Sequence, residues 1–238
     1  MAHLKAVFFD AGNTLLHINC RQISDFLRQF GIAIAAEDLK RAEYRARPRI
    51  SRFLGGTASM ELEYVVRRYF DYVLDEAGLG VFPDEGDRIF EKFLSVHREQ
   101  NLWNEEDPHA KEVLGRLRGR FKLAVISNAD GKVEEALEEK GLKCFFDFVL
   151  DSAVVGIEKP DPRIFELGLR KAGVKAEEAV YVGDIFSVDI LGARRAGIRG
   201  ILLDPISCYG LQVDCPKAGN LLEVEARVEA MVSGGSTR

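Results

Sequence analysis

Four polar clusters in this sequence bring together carboxylates, hydroxyls and an amine. Asp10-Ala11-Gly12-Asn13-Thr14 follows the apolar run Leu4 to Phe9, and Ser127-Asn128 follows Leu123 to Ile126. Lys159-Pro160-Asp161-Pro162 comes next, and Gly183-Asp184, with Asp189 beyond it, follows Ala179 to Val182. Carboxylates of this kind can bind a cation, attack an electrophile or carry a proton, while a lysine supplies positive charge and hydroxyls hold an anion. Each cluster alone has a plainer reading. Asp10 suits a helix cap or turn, Ser127-Asn128 a helix start, Lys159-Pro160 a solvated loop, and Asp184 and Asp189 a loop acid and a cap. Taken together, the plain reading needs four independent coincidences.

The elements that would position these residues are legible. The apolar runs are short and end in small or polar residues, as strands of a parallel sheet buried on both faces do. Leu4 to Phe9, Leu123 to Ile126, Ala179 to Val182 and Gly200 to Leu203 read this way, with Phe146 to Leu150, interrupted by Asp147, as a fifth. Helical stretches lie between the later runs. Lys132 to Lys140 is closed by Gly141, and Pro162 to Ala172 has Asp161 as N-cap and Gly173 beyond its end. Val188 to Ala196 has Ser187 as N-cap and Gly197 after it. This alternation predicts an α/β fold with a Rossmann-like, mainly parallel sheet. In such a sheet all four clusters lie at one edge and converge on one pocket.

The alternation breaks after the first strand. Gln22 to Phe30, Ala36 to Arg45, Met60 to Glu76 and Asp84 to Gln100 have helical patterns, punctuated by Gly55-Gly56-Thr57 and Gly78-Leu79-Gly80. The expected organisation is a core of residues 1–16 and 101–238 with an all-helical insertion over 17–100. An insertion at that point sits over the carboxyl ends of the strands, where such sheets bind ligands. Ser233 to Arg238 reads as a fraying tail.

Composition narrows the class. The 238 residues are 47% hydrophobic and 30% charged, values of an ordinary soluble protein that exclude disorder and collagen-like repeats. The net charge of −5 is spread along the chain and leaves no footprint for nucleic acid or an anionic membrane. No apolar run approaches the roughly 18 residues of a membrane span, and the N-terminal run is too short for a signal peptide. Cys20, Cys144, Cys208 and Cys215 form no C-x-x-C pair, which argues against a zinc site and for free thiols in a cytoplasmic protein. His3, His17, His97 and His109 have no metal-ligand spacing, and neither a G-x-G-x-x-G after the first strand nor a P-loop is present. Trp103 is expected to pack near the second linker of the insertion. The expected partner is a small molecule, and the expected state a monomer or homodimer.

The four clusters, in this order and at these spacings, resemble the motifs of the haloacid dehalogenase (HAD) superfamily, and the resemblance covers nearly the whole chain. The insertion matches the position of the superfamily's helical cap. The resemblance implies a Mg²⁺-dependent hydrolase, phosphatase-like, acting through a phospho-aspartyl intermediate on a small phosphorylated substrate. It makes Asp10 the nucleophile, with Lys159 and Mg²⁺ neutralising the repulsion between carboxylate and phosphate. Asp10, Asp184 and the carbonyl of Gly12 are the implied Mg²⁺ ligands, with Asp189 at the same centre orienting Lys159 or a metal-bound water. Ser127, the amides near Asn128, and Thr14 are the implied holders of phosphate oxygens, and Asn13 shapes the turn. Ala124 to Asp130 and Phe146 to Phe165 resemble one subgroup, the rhythmically expressed gene 2-like proteins and HAD-like hydrolase domain-containing protein 3.

One position departs from the pattern. Most phosphatases of the superfamily carry a second aspartate two residues after the nucleophile, and this chain has Gly12. Glycine offers a carbonyl but transfers no proton, and losing a general acid–base typically costs about 10²–10⁴ in rate. Three readings follow: a weak phosphatase or one that takes acyl or aryl phosphates, a 2-haloacid dehalogenase or phosphonatase, or a non-catalytic binding protein. Dehalogenases need no metal and usually lack the paired aspartates, so Asp184 and Asp189 count against them. A phosphonatase needs a cap lysine. The insertion offers Lys40 and Lys92, and Lys40 lies among Glu37, Asp38 and Arg41, as on a solvated face. Intact Asp10, Lys159 and Asp184 are superfluous in a pure scaffold. Arg41, Arg45, Arg47, Arg49 and Arg52 read as a solvated face ahead of an anion contact, and Pro48 argues against one helix through all five.

Overall fold

The structure, a computed structural model, describes residues 3–55, 62–80, 86–211 and 213–233. It falls into two compact units, Met1–His17 with Glu106–Arg238 and Ile18–Glu105.

The first unit is built on a six-stranded sheet. Its first strand, β1 (Ala6–Phe9), is buried along its whole length. Two-residue strands, β2 (Leu16–His17) and β3 (Glu105–Glu106), stand at the two ends of the intervening segment. Then follow β4 (Lys122–Ser127), β5 (Phe148–Asp151), β6 (Ala179–Gly183), β7 (Arg199–Leu203) and β8 (Lys217–Ala218). The order across the sheet is β5-β4-β1-β6-β7-β8, and every pairing is parallel. The two residues of β8 are too few for any periodicity to reveal.

Alternate residues supply two cores, which is why the strands read as unbroken apolar runs. Val7, Phe9, Val125 and Val182 face one cluster with Val113 and Leu114 of helix Ala110–Leu117 and Val224 and Val228 of helix Leu221–Ser233. Ala6, Phe8, Ile126 and Tyr181 face the other, with Ile164 and Phe165 of helix Pro162–Ala172 and Ala193 of helix Leu191–Arg195. Helices on both faces of a parallel sheet make this an α/β fold.

Helix Pro162–Ala172 begins and ends as its sequence signals indicate. The Asp161 carboxylate accepts from the Arg163 amide at 2.9 Å, and Gly173 takes the left-handed conformation at φ 67°. The third expected helix differs. Ser187 does not cap it; Phe186–Ile190 is a π-helical turn preceded by Ile185, and the α-helix runs only over Leu191–Arg195. The cause is Asp189, whose Oδ2 accepts from the Ile185 amide at 2.8 Å while Oδ1 faces Lys159, widening the turn.

The second unit contains the helices Cys20–Arg28, Ala36–Gly55, Leu62–Glu76 and Gly86–Gln100. Gly56, Thr57, Met60, Asp84 and the tail 234–238 lie outside the described residues. Contrary to the expectation from Pro48, one helix carries all of Arg41, Arg45, Arg47, Arg49 and Arg52. The helix buries one face on both sides of the proline, Ala42, Ala46 and Arg47 before it and Ile50 and Ser51 after it, and packing of that face outweighs the proline. Arg45 donates to the Glu76 carbonyl at 2.9 Å and Arg49 to the Asp75 and Glu76 carboxylates, so both sides of Pro48 are tied to one end of helix Leu62–Glu76. The solvated-face reading also fails at Arg47, which is 1% exposed and donates three hydrogen bonds to Glu43. Trp103 packs against Tyr69 and His97, at 5.7 and 5.3 Å between ring centroids. No helix among the described residues is long and apolar enough to cross a membrane.

Candidate active site

Register aligns the strand ends. Phe9 lies opposite Val125 of β4 and Val182 of β6. Asp10, Ser127 and Asp184 therefore emerge at the same edge of the sheet. The Asp10 amide donates to the Val182 carbonyl at 2.8 Å, carrying the ladder one residue beyond β1. The chain then turns back sharply: the Leu15 and Leu16 amides both donate to the Ala11 carbonyl at 2.9 Å. Asn13 sits in the left-handed region at φ 53°, which asparagine tolerates better than most residues.

Lys159 is the hub. Its Nζ donates to Asp10 Oδ1 at 2.8 Å, to Asp189 Oδ1 at 2.7 Å and to the Tyr181 hydroxyl at 2.9 Å, and all four side chains are buried. Its backbone is held by Asn128, whose Oδ1 accepts from the Lys159 amide at 2.7 Å and whose Nδ2 donates to the Lys159 carbonyl at 2.8 Å. The Asn128 side chain is thus committed to placing Lys159. Ser127, buried at the end of β4, works with Lys159 to lower the Asp10 carboxyl. Thr14 is fully enclosed, and its hydroxyl has no hydrogen-bond partner among the described residues. Gly12 forms a bridge to Leu16. The glycine at 183 is required by close approach, since a Cβ there would stand 2.4 Å from Cγ of Asp189.

The electrostatics follow from burial. Burial pushes the Asp10 carboxyl above its usual range, with Lys159 opposing the rise. Burial works to lower the Lys159 ammonium, but the Asp10 and Asp189 carboxylates outweigh it and hold the group above the ordinary lysine range. Burial also lifts the Tyr181 phenol far above its usual range, so it stays an O–H. Asp10, Asp184 and Asp189 bring ligand oxygens within 4.8 Å of one another, the one such grouping among the described residues. An all-carboxylate oxygen set of that spacing suits Mg²⁺, which prefers hard oxygen ligands and retains waters.

Several contributors carry no sequence motif. Tyr181 shows only as a phenol inside an apolar strand, where a buried hydroxyl needs a partner. Asp151 closes β5 and accepts from the Gly131 amide at 3.0 Å and the Val133 amide at 3.3 Å, anchoring the loop after Ser127. The Tyr209 hydroxyl donates to the Asp184 carbonyl at 3.0 Å from a loop that nothing in the sequence marks.

A parallel sheet with helices on both faces and acidic strand ends meeting a lysine defines a Rossmann-like hydrolase class. The haloacid dehalogenase-like hydrolase family matches residues 4–197, and the chain belongs to that family. A phosphoserine phosphatase of Thermus thermophilus is 37% identical over 159 residues, 66% of this chain and 60% of that protein. A glyceraldehyde 3-phosphate phosphatase of Methanopyrus kandleri is 33% identical over 203 residues, 82% of each chain. Human haloacid dehalogenase-like hydrolase domain-containing protein 3 is 42% identical over 104 residues, 41% of each, in keeping with the subgroup resemblance. The matched stretch spans less than two thirds of the Thermus and human proteins.

Proposed function

We propose that this protein is a Mg²⁺-dependent phosphatase of small molecules, working through a phosphorylated Asp10 and favouring aryl or acyl phosphates. The buried contact of Lys159 with Asp10 and Asp189, beside Asp184, carries the reading. A structural ion pair needs no third carboxylate, whereas phosphoryl transfer needs a nucleophilic carboxylate held beside positive charge. The two phosphatase relatives support the same class.

Asp10, Asp184 and the Gly12 carbonyl would hold Mg²⁺, which when bound offsets the negative charge of the phosphoryl group. Asp189, with both oxygens engaged by Lys159 and Ile185, keeps the lysine in place. An Asp10 oxygen attacks phosphorus as the bond to the leaving oxygen breaks, and water then cleaves the aspartyl phosphate to release phosphate. Ser127 and the loop amides receive the phosphoryl oxygens. With glycine at position 12 no side chain there protonates the leaving oxygen, so groups that depart as stable anions are preferred. Four free cysteines suit a reducing cytoplasm.

The test is hydrolysis of nitrophenyl phosphate with and without Mg²⁺ by the native protein, Asp10→Asn and Gly12→Asp. The expected result is Mg²⁺-dependent turnover, lost in Asp10→Asn and raised in Gly12→Asp. No turnover in either the native protein or Gly12→Asp would overturn the proposal.

A further inference from the structure

We propose that Tyr181 is a positioning residue that fixes where Lys159 delivers its charge, an assignment that rests on the phosphatase reading above. An ammonium has three N–H donors, and here three acceptors meet them: Asp10 Oδ1, Asp189 Oδ1 and the Tyr181 hydroxyl. Two are charged oxygens at the ends of strand and turn. The third comes from inside the layer, because Tyr181 lies within β6, in register with Phe8, and its ring meets Phe165 edge-on at 5.0 Å between centroids.

The hydroxyl's own proton settles which way it works. The hydroxyl oxygen lies 2.7 Å from the Ile126 carbonyl and 3.4 Å from Asp189 Oδ1, so it donates to Ile126. Its lone pairs are then left to accept from Lys159. Ile126 is the residue before Ser127, so one phenol ties the lysine to the strand end that carries the phosphate-facing serine. Packing does not require this. A phenylalanine would fill nearly the same space without enclosing a hydroxyl, which is costly unless bonded. The hydroxyl is explained by what it holds.

Removing it leaves Lys159 with two acceptors for three N–H donors. The lysine is then free to shift, and Asp10 loses its aim toward phosphorus. The penalty falls on the transition state more than on substrate binding.

The experiment compares Tyr181→Phe with Phe165→Leu, which alters packing on the same ring but leaves the hydroxyl in place. The assay is Mg²⁺-dependent nitrophenyl phosphate hydrolysis, with Tm measured on each protein and a crystal structure of Tyr181→Phe. Tyr181→Phe is expected to lower kcat about tenfold or more, with KM changed less than about twofold and Tm little moved. Phe165→Leu is expected to lower Tm and spare kcat. Native kcat in Tyr181→Phe, or equal kcat losses in both variants, overturns the proposal. Should the native protein turn nothing over, the phosphatase reading fails by itself and the crystal structure decides. Lys159 Nζ displaced from Asp10 supports the positioning role, and Nζ in its native place overturns it.

Discussion

Arg47 in the inserted unit and Lys159 in the core unit are both buried cations facing carboxylates, yet they are assembled in opposite ways. Arg47 meets Glu43 one turn away on the same helix, donating through Nε and Nη2 at 2.8 to 3.1 Å. Its guanidinium lies 4.7 Å over the Tyr44 ring, and the Tyr69 hydroxyl also donates to Glu43. Lys159 draws Asp10 from 149 residues away and Asp189 from 30, with Asp184 in the same cluster. The planar fork on one helix is pre-organised and local, as suits a structural pair. A compact ammonium that gathers acids from separate strand ends bears a charge imbalance that folding alone has no reason to create.

The sharpest way to break this contrast is to neutralise one carboxylate on each side. Asp10→Asn is expected to lower turnover by about 10⁴ or more, since the nucleophile is gone, while Glu43→Gln spares the chemistry and destabilises the fold. Stability should separate the two as well. The folded Asp10 carboxyl is raised by burial, so its contribution is present below the unfolded pKa and is lost as pH rises through the folded value. In chelator, Asp10→Asn should therefore gain stability relative to the native protein as pH rises above about 4, the ordinary aspartate value. Thermal melts at rising pH check this, and a difference that runs the other way would show the Asp10 carboxylate to be stabilising.

Removing the cation from the structural pair is the next largest effect. Arg47→Ala leaves a buried carboxylate without its fork and should cost about 3–5 kcal/mol, read as a lower urea midpoint. Arg47→Met with Glu43→Leu should restore most of that loss. A double variant no better than the single would mean that the pair serves more than packing.

These two sites were unequally legible in the sequence. Asp10, Ser127 and Asp184 each stand at or just past an apolar run, so the strand pattern that reveals the fold also locates them, whereas Lys159 and Asp189 stand well beyond theirs and were marked by the motif resemblance. Tyr181 was hidden because a tyrosine inside a strand reads as core, and only the folded structure shows the lysine its hydroxyl meets. The Arg41 to Arg52 run misled for a related reason. Charge along a sequence says nothing of what faces it, and helix Leu62–Glu76 supplies Asp75 and Glu76, partners that lie 26 and 27 residues from Arg49. The proline signal was overridden by the face buried on both sides of it, and the expected helix start at Ser187 by the two hydrogen-bonded oxygens of Asp189.

Cation binding sharpens the contrast at a smaller energy. At a Mg²⁺ concentration about 100 times its Kd, a native-state site contributes about 2.7 kcal/mol. The expected shift in Tm appears in the native protein and in Glu43→Gln and disappears in Asp184→Asn. A shift that survives Asp184→Asn would place the ion elsewhere.

The smallest effect concerns Arg49, two residues beyond Arg47 and different in kind. Its side chain is 37% exposed and pairs with Asp75 and Glu76 beside the Tyr72 ring. Partly exposed pairs are screened by water and salt, so Arg49→Ala should cost under about 1 kcal/mol, and much of that loss should vanish in molar salt. Arg47→Ala should stay equally harmful at any salt concentration, because its partners are buried. If the two arginines cost the same and respond alike to salt, the distinction between a buried local pair and a surface staple across Pro48 fails. The stability of this helix would then rest on the proline-flanking contacts as a whole rather than on Arg47.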